Sequence, residues 1–414
     1  MENTIRINGG HKLTGEVVVS SSKNATVALL PAVVLASEVV KIFGVPDIDD
    51  VDSLVNLLKT LNIDVNIVGD SFTIDPTSIK NAPLVDDNVT KLRASYYFMG
   101  ALLGRYKHVK IKKPGGCNLG PRPIDLHLKG FEALGAKVVE KDGIIEIDAD
   151  ELIGDEIYLD FASVGATINI MLAASLAKGR TIIQNAAKEP EIIDLSSMLN
   201  KMGAKIRGAG TSEITIDGVS RLKGCIHDVI PDRIEAGTYI IIASAIGENV
   251  VVKNVIPQHI DALLSKLEEI GIEFETNVDS VRIIKRNELK PVDVHTQTFP
   301  GFATDLQQPL TALLTMINGT SHIYENIYSE RFKQCDELNK MGANIEKGKS
   351  CSIIYGATPL KGCEVTATDL RCGACLVVAG LIADGTTIIN DAYHIFRGYD
   401  SIITKLKALG ADID

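Results

Sequence analysis

The chain has 414 residues, 45% of them hydrophobic and 23% charged, and a formal net charge of −11. The length calls for more than one core, and the acidic balance argues against a general nucleic-acid surface while leaving room for a local basic site. The start, Met1-Glu-Asn-Thr-Ile-Arg6, lacks the apolar stretch of a secretory signal, the best apolar run (Val27 to Ala36) is short and contains Pro31, and seven cysteines form no regular framework; a cytoplasmic chain without membrane insertion or nucleic-acid partner is expected.

In chain order, a strand is expected over Ile5 to Val19. Then comes a polar phrase, Ser20-Ser-Ser-Lys-Asn24, an apolar stretch of helix length from Ala28 to Ser37, and a β-branched run, Val39-Val-Lys-Ile-Phe43. The unit closes on Leu57-Leu-Lys-Thr-Leu-Asn-Ile-Asp-Val65, which reads as a helix, a cap and a strand. The plan returns five times at a period of about 70 residues. Its polar leads are Lys91-Leu-Arg-Ala-Ser95, Ser163-Val-Gly-Ala-Thr167, Asp232 to Thr238, Thr304-Asp-Leu-Gln-Gln308 and Thr368 to Gly373. Its apolar stretches are Tyr97 to Gly104, Asn169 to Ala177, Tyr239 to Ile246, Leu310 to Ile317 and Leu376 to Ile382. Its closing phrases turn at Gly135, Gly203, Gly271, Gly342 and Gly410, where the first unit has Asn62. Glycine, and less readily asparagine, fits a left-handed helix C-cap.

Helices this apolar on every side must be buried. The expected plan is therefore inside-out, with six βαβ-type units, buried helices and sheets outside. Three units to a domain is the natural grouping: residues 1–20 with 231–414, and residues 21–230, with two chain crossings and a substrate cleft between the domains. The leads place free N–H groups and a positive dipole end at each buried helix start, and Lys23, Arg93, Arg233 and Arg371 add full charge. That pattern implies a ligand with several phosphates or carboxylates.

The second unit is interrupted by Lys112-Lys-Pro-Gly-Gly-Cys-Asn-Leu-Gly-Pro-Arg-Pro-Ile-Asp-Leu-His127. Three glycines and three prolines around one cysteine suit a mobile lid. Beside Lys112, Lys113 and Arg122, the Cys117 thiol should ionise readily and could donate a proton near neutrality. Cys225, Cys335, Cys351 and Cys363 read as incidental. Cys372-Gly-Ala-Cys375 has CxxC spacing but no second ligand pair, so small buried thiols are expected and no metal. For His127 and His394 a structural or hydrogen-bonding role is expected.

These residues resemble a known family. Ile7-Asn-Gly-Gly10, Gly15-Glu-Val-Val-Val-Ser20, Lys23-Asn24, the loop Pro114 to His127, Ser163-Val-Gly-Ala-Thr167, Pro231 to Thr238 and Tyr393-His-Ile-Phe-Arg-Gly-Tyr399 look like the UDP-N-acetylglucosamine 1-carboxyvinyltransferases over essentially the whole chain. The resemblance implies a two-domain inside-out α/β barrel. It implies transfer of enolpyruvate from phosphoenolpyruvate to the 3′-hydroxyl of UDP-N-acetylglucosamine with release of phosphate, the first committed step of peptidoglycan synthesis, without metal or organic cofactor. By position, Lys23, Arg122 and Arg397 would hold the phosphate of phosphoenolpyruvate, and Arg331 and Arg371 would lie near its carboxylate. Asn24 and Asp305 would meet the amino sugar, with Asp305 the base for the hydroxyl and Ile327 against the sugar. Arg93, Arg122, Pro123, Ile124, Asp125, Leu126, Ser163, Val164 and Gly165 would bind the uridine diphosphate. Cys117 would protonate the methylene carbon, and an epoxide mimic such as fosfomycin would alkylate it. Ser21 stands where the family usually has glycine, and Phe161 where some members have a basic residue. The 5-enolpyruvylshikimate-3-phosphate synthases share the six-fold plan but lack the Pro-Gly-Gly-Cys lid.

Overall fold

The computed structural model describes residues 3–86, 89–90, 92–113 and 124–414. Its six buried helices are α1 (Lys23–Ala32), α2 (Tyr97–Tyr106), α3 (Val164–Ala174), α4 (Arg233–Ile246), α5 (Thr304–Leu314) and α6 (Leu370–Ile382). Several begin earlier than their apolar stretches, so polar leads form first turns. Ser22 caps α1 through its Oγ, which accepts from the Ala25 N–H at 3.2 Å; the helix ends at Ala32 and a 3-10 turn, Val33–Leu35, completes the stretch. In α3 every residue from Gly165 to Ala174 is buried. A single truncation there, Ile170→Ala, costs about 2–5 kcal/mol.

The chain forms two compact units, one from residues 21–230 and one from residues 1–20 with 231–414. In the first, α1 packs on α2 and α2 on α3; in the second, α4, α5 and α6 pack on one another. The sheets repeat one pattern. Glu156–Tyr158 runs parallel to Arg180–Gln184 across the α3 crossover, and Glu213–Asp217 and Lys205–Arg207 follow as an antiparallel pair. Asp293–His295, Thr320–Tyr324, Cys351–Tyr355 and Asn344–Lys347 do the same around α5. Alternate strand residues are buried against the helices, which leaves the other sheet face outside. The turns that close the six amphipathic helices all sit at positive φ, from 94° to 106° at the five glycines and 59° at Asn62.

The N-terminal strand differs from expectation. It is two strands, Thr4–Asn8 and Glu16–Val18, in different sheets of one unit, with Gly10 and Gly15 at positive φ between them. Thr4–Asn8 pairs with Thr386–Asn390 and Asp412–Ile413. Glu16–Val18 precedes α1 in the chain, yet pairs parallel with Val251–Lys253. Conversely, Ile226–Asp228 precedes α4 and pairs parallel with Val40–Phe43. Each unit thus keeps the strand laid down just before the chain leaves it. The Asp232 N–H donates to the Ser20 carbonyl at 2.9 Å in one unit, and the Ser22 N–H to the Ile230 carbonyl at 2.7 Å in the other.

Candidate active site

In the unit containing the C-terminus, the first turn of α5 carries a carboxylate between two guanidinium groups. Arg331 Nη1 donates to Asp305 Oδ1 at 2.7 Å, and Arg371 Nη2 to Oδ2 at 3.1 Å. Both arginines are buried, at 5% and 4% exposure. Burial alone would raise the pKa of Asp305; Arg371 and Arg331 outweigh it and hold the carboxyl well below the usual carboxylate range. A carboxylate so held is a poor base until those cations find another anion. Arg331 Nε is buried with no hydrogen-bond partner among the described residues, a donor suited to an incoming acceptor.

The surroundings fix this geometry. Glu325 is 1% exposed. Its Oε1 accepts from the Thr296 hydroxyl (2.7 Å) and from the Ile327 and Tyr328 N–H groups (2.8 and 3.0 Å), and its Oε2 from the Thr304 hydroxyl (2.7 Å). Thr304 Oγ1 in turn accepts from Arg331 Nη1 at 3.0 Å. One carboxylate thereby holds the turn that bears Ile327 and the residue preceding Asp305. Asp369 caps α6, accepting from the Arg371 and Cys372 N–H groups, and Arg371 lies 5.4 Å over the Tyr399 ring. Arg397 follows the short helix Tyr393–Phe396 and is half-buried. Burial first, then the charge of Arg397, lowers the pKa of His394.

In the other unit, Lys23 opens α1 and its Nζ lies 2.9 Å from Asp50 Oδ2. Asn24 beside it is half-buried. Ser21 does not adopt a positive φ, so the backbone freedom of glycine is not used there. Its hydroxyl lies over Gly44, where a Cβ would come within 2.7 Å. Arg93 stands 5.7 Å over the Tyr96 ring. Ser163 caps α3, its Oγ accepting from the Ala166 N–H at 3.2 Å, so Val164 and Gly165 form the first turn. Phe161 is 47% exposed and its carbonyl accepts the Ser163 N–H at 2.7 Å. Ile124 is buried, Asp125 exposed and Leu126 half-buried at the start of the helix Asp125–Ala133. Cys117, Arg122 and Pro123 lie outside the described residues.

The sequence reading gave no site role to Asp50, Glu325, Tyr96, Tyr399 or Asn169, read Asp369 only as part of a helix lead, and gave His127 only a supporting role. The signal for Asn169 was present: it is a lone amide in a helix otherwise almost wholly apolar. Of the thiols, burial pushes Cys335 and Cys372 up to about 12 and raises Cys375 well above the ordinary thiol value. The six described cysteines are free, and these three are poised for neither redox nor acid–base work. His108, Glu146 and Asp148 bring three metal-type ligand atoms within 4.8 Å of one another, but Asp148 is engaged with His108 and Glu146 with Lys110. No helix among the described residues is long and apolar enough to cross a membrane.

Residues 7–406 match the EPSP synthase (3-phosphoshikimate 1-carboxyvinyltransferase) family. The chain is 55% identical to a Bacillus subtilis UDP-N-acetylglucosamine 1-carboxyvinyltransferase 2, covering 99% of this chain and 96% of that one. It is 54% identical to the protein of the same name in Geobacillus kaustophilus, with the same coverage. Among solved structures, the enolpyruvyl transferase NikO of Streptomyces tendae superposes with a TM-score of 0.89 at 26% identity, covering 99% of this chain and 98% of that one. An EPSP synthase of Acinetobacter baumannii superposes at 0.75 and 18% identity, covering 99% of each chain, which speaks to the fold alone.

Proposed function

The chain belongs to the EPSP synthase family of carboxyvinyltransferases, and from that premise we propose how its residues carry the reaction. It is a transferase that moves the enolpyruvyl group of phosphoenolpyruvate to the 3′-hydroxyl of UDP-N-acetylglucosamine and releases phosphate, the first committed step of peptidoglycan synthesis. The observation that carries the residue-level account is Asp305 gripped by Arg331 and Arg371.

Cys117 gives its proton to the methylene carbon of phosphoenolpyruvate, and positive charge develops at the adjacent carbon. The sugar hydroxyl attacks that carbon as its proton passes to Asp305, giving a tetrahedral ketal. The Cys117 thiolate takes a proton back from the new methyl group, phosphate departs with its bonding pair, and the double bond is restored as an enol ether. Arg331 and Arg371 hold the substrate carboxylate, and Lys23, Arg122 and Arg397 the phosphate, by charge-assisted hydrogen bonds. Once the substrate carboxylate engages Arg331 and Arg371, Asp305 loses part of what depresses its pKa and becomes a stronger base. The substrate thereby arms its own base. Asn24 and Ile327 meet the sugar; Arg93, Pro123 to Leu126 and Ser163 to Gly165 hold the uridine diphosphate. The enzyme works in the cytoplasm, where Cys117 is the target of fosfomycin.

Phosphate release measured with phosphoenolpyruvate and either UDP-N-acetylglucosamine or shikimate 3-phosphate tests the reading. Turnover is expected with the nucleotide sugar alone; turnover with shikimate 3-phosphate alone would sink it.

A further inference from the structure

His127 lies in the first turn of the helix Asp125–Ala133, which packs on α3. The approach is close: a Cβ on Gly130 would come within 2.4 Å of the Ile170 side chain. This sets the His127 ring beside Asn169, and the two form a buried relay. The Gly100 N–H donates to Asn169 Oδ1 at 2.8 Å, which leaves the Asn169 amide nitrogen to donate to His127 Nδ1 at 2.8 Å. A backbone N–H can only donate, so the amide orientation is fixed. His127 Nδ1 is then an acceptor, and the neutral ring carries its proton on Nε2. Burial, and after it the charge of Arg93, presses the pKa of His127 down to about 3, so the ring is neutral at physiological pH.

The Nε2 edge faces the start of α3. A Cβ on Gly165 would lie 2.8 Å from His127 Cε1, 3.0 Å from Nε2 and 2.9 Å from the Tyr96 hydroxyl. His127 is 4% exposed, and its Nε2–H finds no acceptor among the described residues. A ring so nearly enclosed, with an N–H edge that meets no described acceptor, is suited to a ligand atom that completes it. The N–H groups of the same helix turn and the nearby Arg93 guanidinium favour an anionic one.

We infer that His127 is a direct hydrogen-bond donor to the nucleotide sugar, its Nε2–H meeting a phosphate oxygen at the first turn of α3 with the Tyr96 hydroxyl beside it. This rests on the reading that Ser163 to Gly165 hold the uridine diphosphate. The donor is neutral and its tautomer is locked, so it recognises an oxygen by position, while Arg93 supplies charge. Asn169 and Gly100 act through His127 as its brace.

Two variants separate the edges of the ring. In His127→Gln the side-chain amide nitrogen reaches the place of Nε2. In His127→Asn it reaches only the place of Nδ1, so the ligand-facing donor is lost. Calorimetric titration of UDP-N-acetylglucosamine into the full chain is expected to show a Kd raised about ten- to a hundredfold in His127→Asn, the range for a hydrogen bond to a charged group, and raised less than about threefold in His127→Gln. In kinetics the KM for the nucleotide sugar should rise more than kcat falls. Wild-type affinity in His127→Asn, or rescue by Asn and not by Gln, overturns the assignment and leaves the ring as a brace for Asn169. A wild-type chain that binds no UDP-N-acetylglucosamine sinks the nucleotide reading itself. A measurement free of variants covers failure to fold: with [15N]histidine-labelled wild-type chain, UDP should shift the Nε2–H resonance of a histidine locked in that tautomer, and uridine should not. No movement at saturating UDP overturns the assignment.

Discussion

The ammonium of Lys23 and the carboxylate of Asp50 meet at 2.9 Å on the first turns of α1 and of the helix Asp49–Thr60, with side chains 16% and 4% exposed. Lys23 is therefore a held cation, aimed by a buried acid. Removing one member of a largely buried pair strands the other charge. Asp50→Ala is expected to destabilise the chain by about 1–3 kcal/mol, and a double-mutant cycle with Lys23→Ala should return a coupling of the same order. Thermal unfolding of the four proteins checks this. Additive effects would mean that the pair contributes little.

Cys117→Ser should lower kcat by about two to four orders of magnitude, because a hydroxyl is a far weaker acid than a thiol and general acid catalysis is worth that much. Cys117→Asp should retain turnover, since a carboxyl can carry the same proton, and should resist alkylation. Phosphate release gives the first two outcomes. Intact-protein mass spectrometry after exposure to fosfomycin with UDP-N-acetylglucosamine present gives the third. Full activity in the serine variant would remove Cys117 from the proton path.

Glu325→Gln replaces a carboxylate that accepts four hydrogen bonds with an amide whose nitrogen can only donate. Even with the amide oxygen toward Thr296 and the two N–H groups, the nitrogen takes the place of Oε2, so the Thr304 hydroxyl must turn from donor to acceptor and its proton loses its partner. A loss of about 2–4 kcal/mol in stability is expected, with kcat reduced as Thr304 and the Ile327 turn loosen beside Asp305. Urea unfolding followed by circular dichroism checks the first effect, and steady-state phosphate release the second. Unchanged values for both would show that the four bonds are dispensable.

How far the sequence carries depends on whether a constraint is local. The helix-closing turns were legible because one residue must take a positive φ, and Gly135 or Asn62 announces that without reference to any partner. The buried helices were legible from apolar residues on every face. The grouping of residues 1–20 with 231–414 could be read from the repeat, but the strand pairings could not: Val17 pairs with Val252, and His227 with Ile42, and no periodicity reports a partner so distant. Asp305 could be singled out as an acid at a helix start. Its arginines lie 26 and 66 residues further along; the helix-start pattern marked Arg371 as a cation, and only family resemblance pointed to Arg331. Glu325, one acid after a β-branched run, gave no sign of the four donors around it.

Asp305 supplies the prediction with the most definite sign. Its folded-state pKa is depressed by Arg371 and Arg331 against the opposing effect of burial. A group with a lowered folded pKa contributes stability that is fully present above its unfolded value, near 3.8 for this carboxyl, and lost as pH falls through the folded one. The stability difference between wild type and Asp305→Asn should therefore stay level between about pH 5 and 8 and shrink below about pH 4. Denaturant midpoints measured across that range test it; a difference that shrank on going from pH 5 to 8 would contradict the depressed pKa. Activity should behave differently. Asp305→Asn keeps the shape of the side chain but cannot take the hydroxyl proton, so kcat should fall by about two to four orders of magnitude at every pH. Because the same two guanidinium groups serve the carboxylate of phosphoenolpyruvate in the proposed mechanism, the variant should bind that substrate at least as tightly as wild type: its amide competes less well for Arg331 and Arg371. A weaker binding constant for phosphoenolpyruvate in Asp305→Asn would break the link between substrate binding and the arming of the base.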